Sequence, residues 1–337
     1  MKIGNIDTKN KVFIIAEIGN NHEGNFDLAK KMIVKASNAG VDAVKFQTFI
    51  PEHFVSFKDQ SRINRLKSFQ LSFKQFKELS KIAKKKGLIF FSTPLDIKSA
   101  KFLNTIQPIF KISSGDNDFY PLIDLVANFK KPIIVSTGIA DIKIIKKVYN
   151  KILKIHSSKK KYHLNLAFLH CVSSYPVPNE QANLASISYL KKLFPKVVVG
   201  YSDHTIGIEA AVLSVVAGAR IIEKHFTLDK NFSNFRDHQL SADPEEMRMM
   251  VKKIREAEKM LGEEEKKIQL CEKEMKILGR RSIAVAHNLI AGTRLSRSDL
   301  IWVRPGKGFS PGDEKKIIGK KIRRNLKMGE IIRKNDI

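Results

Sequence analysis

The sequence predicts an α/β protein, a (β/α)8 barrel of the TIM type followed by a small, mostly β module. Three observations make that prediction. Short apolar runs alternate with amphipathic stretches eight times over about 250 residues, the length and rhythm of a TIM barrel. Polar and ionisable residues collect at the carboxyl ends of the apolar runs, where barrel enzymes carry their sites. Beyond residue 262 the composition changes, first to a charged segment and then to short strands, turns at Ala291-Gly292 and Pro311-Gly312, and the only Trp of the 337-residue chain. The expected divisions are a barrel over 1–262, a helical linker over 263–279 and a β module over 280–337. A doubly wound sheet is the alternative, but it normally carries a glycine-rich fingerprint after its first strand, and AEIGNNHEG is not one.

Each element has its own signal. The run 11–19, KVFIIAEIG, is a strand with Glu17 near its end. Asn25 caps a helix whose apolar face is Leu28, Met32, Ile33 and Ala36 and whose stop is Gly40. AVKFQTF over 43–49 alternates, which puts Lys45 and Gln47 on one face. Residues 50–71 are expected to be a long loop. A helix over 72–87 leads to the strand LIFFSTP, which ends at Ser92-Thr93. The unit then repeats: helix 97–106, strand IFKISS, helix 119–129, strand PIIVSTG, helix 141–153, strand LNLAFLHCVS over 164–173, helix 184–194. The stretch 200–227 supplies strand, helix, strand, with His204 and His225 at the carboxyl ends of the two strands. A helix over 244–261, capped by Asp243, closes the series.

The net charge is +27. Most lysines lie on exposed helix faces, as in KKMIVKASN, SKIAKKKG and KKIREAEK, and no arginine stripe with interleaved aromatics appears, so nucleic acid is not an expected partner. An anionic small molecule is compatible with the charge. No apolar run approaches the ~18 residues of a membrane span, and the first residues lack the roughly 7–15-residue apolar stretch of a secretory signal. Cys171 and Cys271 alone make no disulfide framework, which points to a reducing cytoplasm.

The residues at the strand ends carry the chemistry. In a parallel sheet the ends of neighbouring strands are adjacent, so His204 and His225 form a seat for a divalent metal. Lys45 and Lys111 point into the barrel mouth and need an anionic partner, because an unpaired buried ammonium costs several kcal/mol. With Thr93, Ser114, Ser136, Ser173 and Ser202 they make a seat for phosphate or carboxylate. Glu17 is either a proton-transfer group or a structural partner of Lys45. His22 and His170 read as structural and Cys171 as a packed small side chain.

The segments IIAEIGNNHEGNFDLAKKMI, AVKFQTF, FSTP, FKISSGDNDFYPLI, KPIIVSTG, LHCVSSYPVP, VVGYSDHTIG and EKHFTLD together resemble the sialic acid synthases, the N-acetylneuraminate synthases and their relatives. The tail, RRSIAVAHNLIAGTRLSRSDLIWVRPGKGF through GKKIRRNLKMGEIIRKNDI, is similar to their antifreeze-like (SAF) domain, a β-clip. The resemblance implies condensation of phosphoenolpyruvate with the open-chain aldehyde of an N-acetylated sugar, giving a nonulosonic acid and phosphate. It implies a manganese or magnesium ion on His204 and His225, polarising the aldehyde. Lys45, Thr93, Lys111, Ser114, Ser136, Ser173 and Ser202 fall where that family grips phosphoenolpyruvate, and Gln47 where a side chain orients a metal-bound water. Glu17 falls to general acid/base work. Tyr175, Asp237 and Arg304 fall where the family holds the acetamido sugar, Arg304 reaching it from the other subunit of a swapped homodimer. Ser173 stands where Asn is frequent and Asp116 where a longer Glu is, so the sugar stays open between N-acetylmannosamine and the diacetamido-trideoxy sugars of legionaminic or pseudaminic acid. The rival readings are a heptulosonate- or octulosonate-phosphate synthase and a non-enzymatic scaffold for sugars or polyanions.

Overall fold

A computed structural model describes residues 1–157 and 164–337. The chain forms two compact units, Met1–Gly262 and Glu263–Ile337.

In the first unit eight parallel strands surround a filled interior: β1 (Phe13–Gly19), β2 (Ala43–Thr48), β3 (Ile89–Pro94), β4 (Phe110–Ile112), β5 (Ile133–Ser136), β6 (Leu166–Cys171), β7 (Val198–Asp203) and β8 (Ile221–His225). The ladder runs β3-β2-β1-β8-β7-β6-β5-β4, so β8 closes on β1 and one seam, between β3 and β4, lacks ladder bonds. There the buried side chain of Gln107 accepts from the Ser92 backbone N–H at 2.8 Å, doing for β3 what a neighbouring carbonyl does elsewhere. The helices that follow the strands are α1 (Phe26–Asn38), α2 (Phe73–Lys85), α3 (Ile97–Leu103), α4 (Tyr120–Asn128), α5 (Ile142–Ser157), α6 (Ala185–Leu193), α7 (Glu209–Val216) and α8 (Pro244–Leu261). This is the barrel expected from the sequence. The caps that punctuate it are made: Asn25 accepts from Leu28 N–H, and Ser72/Gln75 and Asp243/Glu246 form reciprocal capping boxes.

The interior has two layers. The amino-terminal half of the barrel is apolar, with Phe13, Ile15, Phe91, Ile109, Ile134, Leu169 and Ile221 packed together. A short antiparallel hairpin, Lys2–Ile3 with Ile6–Asp7, covers that end and inserts Ile3 into the cluster. Burying a side chain of this size is worth about 1.5–3 kcal/mol. The layer at the carboxyl ends gives up that gain, and polar groups fill it.

Two expectations are revised. Residues 50–71 are not one loop: they contain helices Pro51–Phe54 and Gln60–Phe69, the second capped by Asp59. Of its ten residues only Ile63 is buried, so no apolar stripe announced it. The segment 263–279 is helical only over Leu270–Glu272, as a 3-10 turn, and Lys273–Gly279. In the second unit β9 (Ser282–Val285) pairs antiparallel with β10 (Leu300–Val303) over a small core that includes Ile283, Leu295, Ile322 and Ile332. Among the described residues no helix is long and apolar enough to cross a membrane.

Candidate active site

Strand alternation builds the site. Side chains two apart share a face, so each strand that sends apolar side chains into the floor continues with a polar one at the mouth. Phe13 and Ile15 lead to Glu17, Ala43 to Lys45 and Gln47, Phe91 to Thr93, Ile109 to Lys111, Ile134 to Ser136, Leu169 to Cys171, and Ile221 to Glu223 and His225. These mouth residues line a cavity of roughly 450 Å³ together with Ser114, Ser173, Tyr175, Ser202 and His204. Asp237 is buried behind Arg236, which does line the cavity, and Asp237 itself does not. Arg304 is an exposed residue of the second unit.

The charges at the base of the cavity are internally matched. Lys45 Nζ lies 2.9 Å from Glu17 Oε2 and 3.6 Å from Glu223 Oε2, and it donates to Thr93 Oγ1 at 3.2 Å. Lys111 Nζ lies 3.3 Å from Glu223 Oε1, which also accepts from Ser202 Oγ at 2.9 Å. All four charged side chains are buried. The anionic partners that the buried lysines require are thus present within the protein, as the carboxylates of Glu17 and Glu223. Burial pushes the Glu17 carboxyl up to about 7, with Lys45 pulling the other way and Glu223 adding to the rise. Burial also opposes ionisation of Glu223, but Lys111 and Lys45 outweigh it and hold that carboxyl well below its ordinary range. Burial lowers Lys111, whereas the two carboxylates overcome burial at Lys45 and raise it. Glu223 was not singled out from the sequence. Its signal was present: it lies two residues before His225 on an alternating strand and so shares its face.

Above this cluster the hydroxyls form a cradle. Gly138 N–H donates to Ser114 Oγ at 3.2 Å, and the buried hydroxyls of Ser136 and Ser173 have no partner among the described residues. A β-carbon on Gly138 would overlap Ser173 Oγ and lie 2.7 Å from Ser114 Oγ, so the cradle exists only with glycine there.

The imidazoles face each other across the opposite wall, ring centroids 5.4 Å apart. His204 Nδ1 is 2.9 Å from the Val172 carbonyl, which makes Nδ1 the protonated nitrogen and leaves the Nε2 lone pair free. Tyr175 packs on the His204 ring at 4.2 Å. Among the described residues the buried His225 Nδ1 has no partner, and burial, reinforced by His204 and Lys45, holds that ring neutral. A buried pair of Asp203 and Lys224, 3.0 Å apart, anchors the loop that follows β7: Asp203 accepts from Thr205 N–H, and Lys224 donates to the Thr205 carbonyl. Burial opposes ionisation of His204, but the Cys171 thiol and the Val172 carbonyl outweigh it and raise that ring above its ordinary value. In its neutral form each imidazole has a lone pair to offer, which fits a divalent cation. Among the described residues no group of three His, Cys, Asp or Glu could hold one, so water or substrate would complete the coordination, as in open catalytic sites. His22 and His170 stand apart from the cavity. His22 Nδ1 accepts from Gly24 N–H, and His170 Nε2 lies 2.8 Å from the Ala182 carbonyl.

A parallel eight-stranded barrel with a polar mouth, together with a small β unit, is the class that fold and site define. The NeuB family model matches residues 32–266 and the SAF domain model residues 280–337. The chain belongs to the NeuB family. An uncharacterised protein of Methanocaldococcus jannaschii is 44% identical over 96% of this chain and 94% of its own length. The N,N'-diacetyllegionaminic acid synthase of Campylobacter jejuni is 37% identical over 96% of this chain and 99% of its own. The crystal structure of N-acetylneuraminic acid synthetase from Leptospira borgpetersenii in complex with citrate superposes with a TM-score of 0.76 at 35% identity, covering 82% of this chain and 94% of that one.

Proposed function

We propose that this protein is a nonulosonic acid synthase that condenses phosphoenolpyruvate with the open-chain form of an N-acetylated hexosamine in a metal-dependent reaction. The observation that carries this reading is the convergence of Lys45, Lys111, Glu17, Glu223, His204 and His225, carried by five strands or the residue just past a strand's end, on one cavity. Lys45 and Lys111, with Thr93, Ser202 and the cradle of Ser114, Ser136 and Ser173, seat the anionic ends of phosphoenolpyruvate. The partnerless hydroxyls of Ser136 and Ser173 gain acceptors when it binds.

His204 and His225 would hold manganese or magnesium, which supplies Lewis-acid polarisation of the acceptor aldehyde. Carbon 3 of phosphoenolpyruvate then bonds to the aldehyde carbon. Cationic character at carbon 2 is met by water, and phosphate departs with cleavage of its bond to carbon 2. Glu17 moves the protons: a carboxyl poised near neutrality serves as both acid and base at physiological pH. Gln47 is held for this work, accepting from Asn20 Nδ2 at 3.0 Å and donating to Glu17 Oε1 at 3.4 Å. Tyr175 flanks the acceptor, Asp237 acts only from behind as the partner of Arg236, 3.4 Å away, and in this reading the partner subunit's Arg304 completes the acceptor's contacts in a homodimer.

The second reading within the class is a diacetamido-trideoxyhexose acceptor, favoured by the full-length relation to the Campylobacter jejuni enzyme. The test is mass spectrometry of the product from phosphoenolpyruvate, manganese and each candidate sugar, with phosphate release followed in parallel. The expected result is a nine-carbon 2-keto acid from one acetamido sugar and no product after chelation. Product only from non-acetamido sugar phosphates of the heptulosonate or octulosonate type would overturn the reading.

A further inference from the structure

A second chamber, of roughly 700 Å³, lies at the barrel mouth and shares Arg62 and Arg236 with the reaction cavity. Two segments build it: the helix Gln60–Phe69, and the loop 233–235 with Arg236 at the start of the helix Arg236–Leu240. Phe69 and Phe235 meet edge-on at 5.1 Å and hold the two together. Arg62 and Arg65, three residues apart and so on one helix face, line it with Arg236. Arg62 rests against the Phe54 ring at 5.5 Å and Arg236 over the Tyr175 ring at 4.7 Å. The chamber's one carboxylate, Glu23, is engaged by His238 Nε2 at 3.1 Å and by Ser233 Oγ. Arg236 Nε has Asp237 Oδ1 at 3.4 Å, but among the described residues Arg62 and Arg65 pair with no carboxylate. Three guanidiniums thus face a chamber with one already committed anion. That contrasts with the reaction cavity, where ammonium and carboxylate groups are matched in number.

The chamber is close to the reacting end. Arg236 Cζ is 4.7 Å from the Tyr175 ring centre, which is 4.2 Å from that of His204, so the guanidinium lies within about 9 Å of the imidazole proposed to face the aldehyde. An extended six-carbon chain ending in one phosphoester has that reach. Phosphoenolpyruvate is already provided for by Lys45, Lys111 and the hydroxyls, so a second anion belongs to the other substrate. We infer that the acceptor sugar carries a phosphate at the end remote from its aldehyde, held in this chamber by Arg62, Arg65 and Arg236. Guanidinium forks suit phosphate oxygens pairwise. A trideoxy sugar, whose remote end is a methyl group, leaves all three without a partner. The inference rests on the condensation reading and narrows its acceptor.

The test compares N-acetylmannosamine 6-phosphate, N-acetylmannosamine and a diacetamido-trideoxymannose analogue as acceptors for the full-length enzyme with phosphoenolpyruvate and manganese. The phosphorylated sugar is expected to have a kcat/KM at least tenfold above either neutral one. Arg65→Ala, a change on an exposed helix face, should reduce that preference roughly tenfold through KM for the sugar phosphate, with Arg65→Lys recovering part of it. Equal or better turnover of a neutral sugar overturns the inference while leaving condensation intact. So does an Arg65→Ala effect equal for all acceptors, or stimulation of a neutral sugar by added inorganic phosphate, which would make the chamber a site for free anion. Phosphate release with none of the three sugars overturns the condensation reading and this inference with it.

Discussion

The floor and the mouth of the barrel are made by the same strands under the same alternation, yet they solve opposite problems. The floor closes on Phe13, Ile15, Phe91 and Leu169 beneath the hairpin's Ile3, and it contributes stability in proportion to the apolar area removed from water. One or two residues further along each strand, the mouth buries two ammonium groups and two carboxylates whose desolvation consumes most of what their pairing returns. Fold strength therefore resides at one end and chemistry at the other, so variants at the two ends should separate the two properties.

The sharpest separation is between His225→Ala and Leu169→Ala. Among the described residues the buried His225 Nδ1 has no hydrogen-bond partner, so its loss breaks no bond at that nitrogen and costs only the ring's packing on His204 and Tyr175, and the melting temperature should stay within a few degrees of wild type. Turnover should fall about 10³-fold or more, since Lewis-acid polarisation is worth several kcal/mol. Leu169→Ala opens a cavity in the floor and should cost about 2–5 kcal/mol by denaturant titration, while the folded fraction keeps the wild-type kcat. Paired stability and kinetic measurements on both variants check this. A His225→Ala enzyme that turns over normally would falsify the metal assignment.

Glu17 sharpens the comparison further, because there one residue sets chemistry against stability. Its folded-state carboxyl is raised to about 7 from 4.5 by burial. A raised carboxyl stabilises the fold while protonated, and that contribution fades as pH climbs through about 7. Glu223, with its carboxyl lowered, behaves oppositely: its stabilisation is present above its ordinary carboxylate range and is lost on acidification. Glu17→Gln should thus gain in melting temperature relative to wild type between about pH 5 and about pH 8. It should lose activity by roughly 10²–10⁴-fold, together with the limb of the rate profile near pH 7. A variant that retains that limb assigns it to another group.

Much of this arrangement was legible in the sequence because strand alternation is a strict rule. Once KVFIIAEIG, AVKFQTF and IFKISS are read as parallel strands, Glu17, Lys45 and Lys111 must reach the same rim. Glu223 was obscured by its neighbour: in RIIEKHF the Glu-Lys pair reads as two surface charges. In fact the two residues point to opposite faces, Glu223 toward Lys111 and Lys224 outward to Asp203. The helix Gln60–Phe69 was hidden for the converse reason, since with one buried side chain it has no period to read. The arginines it carries matter through the chamber they line, and a chamber between a helix and a loop distant in sequence leaves no mark in either segment's sequence. Gly138 likewise read as the end of a strand in PIIVSTG, whereas its importance lies in the space it leaves between the hydroxyls of Ser114 and Ser173, which follow two other strands.

That space gives the mildest of the expected effects. Adding one methyl at Gly138 places a carbon where Ser173 Oγ now sits and 2.7 Å from Ser114 Oγ. Both obstacles are ends of small side chains, so the serines can rotate away and the barrel should fold with little change in melting temperature. Rotation, however, takes both hydroxyls off the point on which they converge and breaks the Gly138 N–H bond to Ser114. Losing a hydroxyl's hydrogen bond to a bound anion is worth about 1.5–3 kcal/mol, less what the rotated serine recovers. Gly138→Ala should therefore raise KM for phosphoenolpyruvate roughly tenfold, with a smaller change in KM for the sugar. Initial-rate kinetics with each substrate varied in turn make the distinction. An equal rise for both substrates would mean that the cradle shapes the whole mouth rather than the seat of one anion.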